Sequence, residues 1–185
     1  MAFWGAPTSN PQHAVACVRA AMAAQRAIYE LNQQRATENK RRELENLTRA
    51  AADLELLPML PVLQLGTGIN TGLATVGLMG SETKTGVGQG NYTVFGREVN
   101  LASRLESLSG HGRIFISETT HQHLLRDAPD LAATCVAQPP ANLKGFSAAV
   151  NVFEVPWLPP GATPIESDFA KHSAPDTTAF VQRSS

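Results

Sequence analysis

Asn91-Tyr92-Thr93-Val94-Phe95-Gly96-Arg97-Glu98-Val99-Asn100-Leu101-Ala102-Ser103-Arg104-Leu105-Glu106 is the stretch whose reading decides the fold. A short run of β-type residues leads to a glycine, and an amphipathic helix follows. Successive helical positions turn by about 100°, so Leu101, Leu105 and Leu108 share one face. Asn100, Ser103, Arg104 and Ser107 share another, turned well away from the leucines. Asn100 and Arg104 are four apart, so their side chains lie one above the other. An amide and a guanidinium presented together from a packed helix suit a hydroxyl and a phosphate. On spacing alone, a solvated polar face is the simpler reading.

Outward from this stretch, the chain predicts one domain of mixed α/β type. Its 185 residues, 43% hydrophobic, suffice for a real core. A formal charge of −1 gives no case for nucleic acid or a polyanionic surface. Cys17 and Cys135 stand far apart with no Cys/His cluster, which predicts two free thiols in a reducing compartment. No apolar run approaches a membrane span, and the chain reads as cytoplasmic, with membrane contact only through segments upstream of it.

Upstream, residues 1–5 read as a short buried strand. Asn10-Pro11 reads as a cap followed by proline at the first helical position. Ala14, Val18, Ala21, Ile28 and Leu31 then recur at helical spacing to about Asn32, with His13 a surface residue in the first turn. Residues 33–58 are a charged insertion, either a helical extension or a mobile segment, and Pro58 and Pro61 punctuate its end. A strand is expected over residues 62–69, then a turn into a second strand ending at Met79. Gly66-Thr67-Gly68 lacks the following helix of a dinucleotide fold, and the glycine-rich loop 83–90 lacks the Gly-Lys-Ser/Thr ending of a phosphate loop. Downstream, a strand over 113–117, a helix over 118–126 and strands over 131–136 and 150–155 are expected. The domain is read as residues 1–157, with a disordered tail over 158–185. No internal repeat is expected.

The central stretch resembles the signature of the class III nucleotide cyclases, the adenylyl and guanylyl cyclase family. Other pieces agree in order: Ala2-Phe3-Trp4-Gly5-Ala6-Pro7, Gly68-Ile69-Asn70-Thr71-Gly72, Val76-Gly77-Leu78-Met79-Gly80-Ser81, Gly112-Arg113-Ile114-Phe115-Ile116-Ser117-Glu118 and Leu143-Lys144-Gly145. The likeness covers the chain to about Trp157. It implies a ferredoxin-like cyclase fold, incomplete at the N-terminus and starting at the third strand of the βαββαβ core.

It also implies a chemistry. Cyclases join the ribose 3′-oxygen of a nucleoside triphosphate to its α-phosphorus and release pyrophosphate, with Mg²⁺ or Mn²⁺ in a two-metal site. Asn100 matches the ribose-orienting Asn and Arg104 the transition-state Arg. Thr93, Val94 and Lys144 are the implied substrate-binding positions, and Thr93 at the purine-reading position favours ATP over GTP. The two metal-binding aspartates belong to segments before Phe3-Trp4-Gly5, and Asp53 matches neither. The phosphate-binding Lys of the family corresponds here to Phe146, and the Asp after the motif glycine to Arg97. The resemblance thus implies an adenylyl cyclase domain that makes cyclic AMP only as a homodimer or heterodimer with another cyclase domain. This chain, without metal ligands, would be inactive alone. The alternatives are a non-catalytic half that complements a complete cyclase, and a truncated reading frame that folds poorly.

Overall fold

The computed structural model describes residues 1–79, 91–158 and 161–162. The expected loop 83–90 and nearly all of the expected tail lie outside these residues. The organising helix is α2 (Arg97–Ser109), preceded by strand β3 (Asn91–Phe95). Strand β3 pairs antiparallel with β2 (Thr75–Met79), and the two form a sheet of their own.

The main sheet has four strands in the order β1 (Thr67–Ile69), β4 (Ile114–Ser117), β6 (Val150–Glu154) and β5 (Val136–Ala141). Strands β1 and β4 are parallel, with Thr67 beside Ile114, and the other pairs are antiparallel. Side chains alternate across a strand, and that alternation divides the core. Ile69, Ile114 and Ile116 point to one face, against Val15 and Val18 of α1 (His13–Ala51), Leu124 of α3 (Glu118–Asp127) and Ala132 of α4 (Pro129–Thr134). Phe115 and Val152 point to the other face, against Leu101 and Leu105. Among the described helices, α2 therefore packs on one side of the sheet, and α1, α3 and α4 on the other.

Several expectations need correction. Residues 1–5 form no strand: Met1 and Trp4 are exposed, and Phe3 meets Tyr92 with ring centroids 5.9 Å apart. No strand among the described residues lies alongside to pair with them. Helix α1 does not stop near Asn32 but runs 39 residues, so the charged insertion begins as a helical extension. The chain does hold an internal repeat: Asn-x-x-Arg recurs every seven residues at Asn32/Arg35, Asn39/Arg42 and Asn46/Arg49. The strand expected over 62–69 shrinks to three residues. Its earlier part is engaged by α1 instead, as with the Leu63 amide, which donates to Asn32 Oδ1. Residues 131–136 are not one strand. Pro129, pre-set for a first helical turn, opens α4, and β5 starts only at Val136. Pro139 and Pro140 are tolerated in β5 because it is an edge strand with a register shift between Gln138 and Ala141.

Candidate active site

Helix α2 starts where Gly96 takes φ +139°, a backbone conformation that favours glycine. Leu101 and Leu105 anchor it in the core. Its approach to β1 is very close, because Gly66 and Gly68 present no side chain. A Cβ on Gly68 would overlap the backbone of Ala102, Leu105 and Glu106, and one on Gly66 would overlap Gly110 O. Gly66-Thr67-Gly68 is thus a packing device. Leu108, expected on the apolar face, is 39% exposed, and Ser109 is buried instead, its hydroxyl donating to Glu106 O.

With the leucines turned inward, Asn100, Ser103 and Arg104 are exposed on the opposite face. Neither the Asn100 nor the Arg104 side chain makes a hydrogen bond or ion pair to another described residue. At four-residue spacing an amide and a guanidinium stand side by side, free to engage a ligand.

The remaining candidates are scattered. Thr93 and Val94 point to opposite faces of β3: Val94 is buried, while Thr93 is half-buried and paired in register with Gly77. Lys144 is exposed in the turn that Phe146 N closes onto Leu143 O at 3.0 Å. Phe146 packs with Leu101, Leu105, Phe115 and Val152. The Arg97 guanidinium lies 5.1 Å from the Phe146 ring centroid. Two residues 49 positions apart, each singled out as a departure from the family pattern, are therefore in contact.

A cleft of about 560 Å³ lies between residues 1–6, the start of α1 and the loop after β1. Val94 lines it, but Thr93, Asn100, Arg104 and Lys144 do not. At its wall Asn70 Nδ2 donates to Glu98 Oε2 at 2.7 Å and to Glu98 O at 3.1 Å. Gly72 makes room, since a Cβ there would press on the Glu98 side chain at 2.8 Å. Asn70 Oδ1 is buried and accepts no hydrogen bond from a described residue. Sequence pattern alone gives Asn70 no role. The signal was local: a glycine two residues on, which admits the carboxylate.

The acidic groups beside the α2 face do not form a metal site. Glu98 is held by Asn70, and Glu106 is exposed two turns along the helix. No group of three His, Cys, Asp or Glu converges among the described residues. The described residues thus do not fit a two-metal centre.

The chain has counterparts among known proteins. Residues 1–153 match the family described as the adenylate and guanylate cyclase catalytic domain. The chain belongs to this family. The cyclase domain is 34% identical, over 95 residues and 50% of its length, to the terminal-differentiation-specific adenylate cyclase of Dictyostelium discoideum, and spans 4% of that protein. Its fold resembles that of the adenylyl cyclase CyaB from P. aeruginosa, with 32% identity and a TM-score of 0.57 over 83% of this chain and 64% of CyaB. It also resembles the guanylyl cyclase Cya2, with 31% identity and a TM-score of 0.55 over 82% of this chain and 62% of Cya2. The cyclase domain therefore spans less than two-thirds of either solved chain. The near-equal likeness to an adenylyl and a guanylyl cyclase leaves the choice of purine to the residues themselves. No helix among the described residues is long and apolar enough to cross a membrane.

Proposed function

We propose that this cyclase domain supplies the Asn–Arg half of an adenylyl cyclase active site, completed by a second cyclase domain that brings the metal-binding carboxylates. The observation that carries the reading is the pair Asn100 and Arg104, exposed and unengaged on a helix whose other face is locked into the core. Arg104 presents a planar cation to phosphoryl oxygens as charge develops on them. Asn100, one turn earlier, holds the ribose so that its 3′-oxygen faces the α-phosphorus. The new bond joins that oxygen to phosphorus, and the bond to pyrophosphate breaks. Thr93 and the backbone at Val94 read the purine, a hydroxyl being able to pair with the adenine edge. Lys144 stands by for the phosphates.

The test is cyclic nucleotide production with ATP or GTP and Mg²⁺ or Mn²⁺. The purified chain alone is expected to give none. Mixed with a cyclase domain that keeps its aspartates but carries Ala at its own Asn and Arg, it is expected to restore cyclic AMP formation over cyclic GMP. Turnover by the chain alone, or a preference for GTP in the mixture, would overturn the respective part.

A further inference from the structure

Helix α1 and the segment returning along it are joined by one contact pattern, repeated three times. Asn32 Nδ2 donates to Leu63 O at 2.7 Å, and Leu63 N donates to Asn32 Oδ1 at 2.9 Å. Asn39 makes the same pair with Leu60, at 2.9 and 2.8 Å. Asn46 makes it with Leu57, at 3.0 and 2.7 Å. Three residues after each asparagine an arginine donates to the carbonyl two residues before the paired leucine. Arg35 reaches Pro61 O at 2.7 Å, Arg42 Pro58 O at 2.5 Å and Arg49 Glu55 O at 2.6 Å. Each asparagine amide thus stands in for a neighbouring strand, satisfying one N–H and one C=O of a backbone that pairs with no strand among the described residues.

The periods match for a physical reason. Seven helical residues rise about 10.5 Å and fall about 20° short of two turns. Three residues of polyproline II rise about 9.3 Å and return to the same face. The two advance nearly in step, and the slow winding of the asparagine row takes up the difference. Pro58 and Pro61 hold the segment extended, and neither is asked to donate; Leu57, Leu60 and Leu63 supply the N–H groups. At the base, Gln25 takes the place of a fourth asparagine. It is 2% exposed, and Nε2 donates to Leu65 O at 2.6 Å and reaches Arg113 O at 3.5 Å. Those carbonyls belong to the residues that lead into β1 and β4. At the far end Leu44, Leu47, Leu54 and Leu56 are all more than half exposed.

We propose that residues 25–65 form a stiff strut of matched modules, seven helical residues against three extended ones, which holds the leucine tip at a fixed distance from the sheet and sets the register at which β1 joins it. The strut has a length that can change only in coupled steps. A generic helix with a loose return would instead tolerate small deletions better than large ones.

Two deletions in the full chain separate these cases, read by amide hydrogen exchange and thermal unfolding. Removing one matched module, residues 39–45 together with 58–60, takes away ten residues but leaves Asn32 facing Leu63 and Asn46 facing Leu57. Slow exchange at the Leu57 and Leu63 amides and one cooperative transition are expected to survive. Removing only residues 40–43 keeps the helix but leaves Asn46 three helical residues, about 4.5 Å, from Asn39, while Leu57 stays about 9.3 Å from Leu60; Asn46 and Arg49 fall out of step with the return, and Leu57 is expected to lose its protection. Asn39→Ala, which leaves chain length unchanged, is expected to speed exchange at Leu60 by about tenfold or more, with Leu63 little affected. The proposal is overturned if the four-residue deletion is tolerated as well as the ten-residue one, or if Asn39→Ala leaves Leu60 protected.

Discussion

Replacing Gly68 by alanine tests the packing that places the candidate site. The added Cβ would lie well under 3 Å from three backbone groups of α2, those of Ala102, Leu105 and Glu106. Ordinary carbon contacts need about 3.5–4 Å. Backbone cannot swing aside as a flexible side chain would, so α2 must lift from β1 by about an ångström. Overpacking of this kind costs about 1–3 kcal/mol, and three rigid obstacles put Gly68→Ala at the upper end. For a chain of this size each kcal/mol lowers Tm by about 2–4 °C, which predicts a fall of about 6–12 °C by circular dichroism. Gly77→Ala is the control. It is also a strand glycine, but no atom of a described residue lies within 4 Å of its added Cβ. There the reduced freedom of the unfolded chain predicts a small gain of about 0.4–1 kcal/mol. Lifting α2 also moves Asn100 and Arg104, so Gly68→Ala is expected to lower both Tm and complemented cyclase activity. A Gly68→Ala variant as stable as Gly77→Ala would refute the close seating of α2 on β1.

Arg104→Ala should lower turnover in the complemented enzyme by about 10²–10³-fold, the usual loss for one transition-state donor, with Tm almost unchanged because the side chain is exposed; a large drop in Tm would mark it as structural. Hydrogen bonds from Arg41 and then Arg42 hold the Glu38 carboxyl down to about 2, well below its ordinary 4.5. A lowered carboxyl contributes stability above its unfolded value and loses it as pH falls toward the folded one. Exchange protection along the strut should therefore weaken between about pH 4.5 and 2, and Glu38→Gln should flatten that dependence. Burial pushes the Cys17 thiol up to about 11, so at mildly alkaline pH the native protein should resist alkylation at Cys17 until denaturant is added; mass spectrometry of the labelled peptide checks this.

Helix α2 was legible because its apolar spacing reports a face that meets a sheet, and Leu101 and Leu105 do so. The same spacing placed Leu108 wrongly. Contact runs along Leu101, Leu105 and Ser109 at intervals of four, and the small serine sits where Gly66 brings the strand close. A rule that counts apolar residues cannot see a serine as core. The strut escaped for a related reason. Its contacts join polar side chains to backbone carbonyls and amides, so hydrophobic periodicity carries none of the signal, although Asn-x-x-Arg every seven residues lies open in the text. The apolar run 62–65 looked like a strand because β-type composition does not reveal where its backbone hydrogen bonds go. For Leu63 they go to Asn32.

The Arg97–Phe146 contact shows a limit of matching a motif position by position. Read separately, Arg97 is a cation where the family signature has an acid, and Phe146 is an apolar ring where it has a cation. Together they leave one positive charge at the same corner. The ring fills the space beside Leu101, Leu105 and Val152, and the guanidinium covers it at 5.1 Å. A lysine at 146 would have to carry an ammonium away from that apolar cluster, and an aspartate at 97 would then face it. With Phe146 in the cluster an acid at 97 has no partner there, while an arginine gains a cation–π contact worth about 0.5–1 kcal/mol at an exposed site. The two departures are coupled through space, so exchanging them one at a time should cost more than exchanging them together. Arg97→Asp and Phe146→Lys are each expected to lower Tm, and the double variant is expected to recover part of the loss through its Asp–Lys pair. Strict additivity of the two losses would mean that the contact contributes nothing.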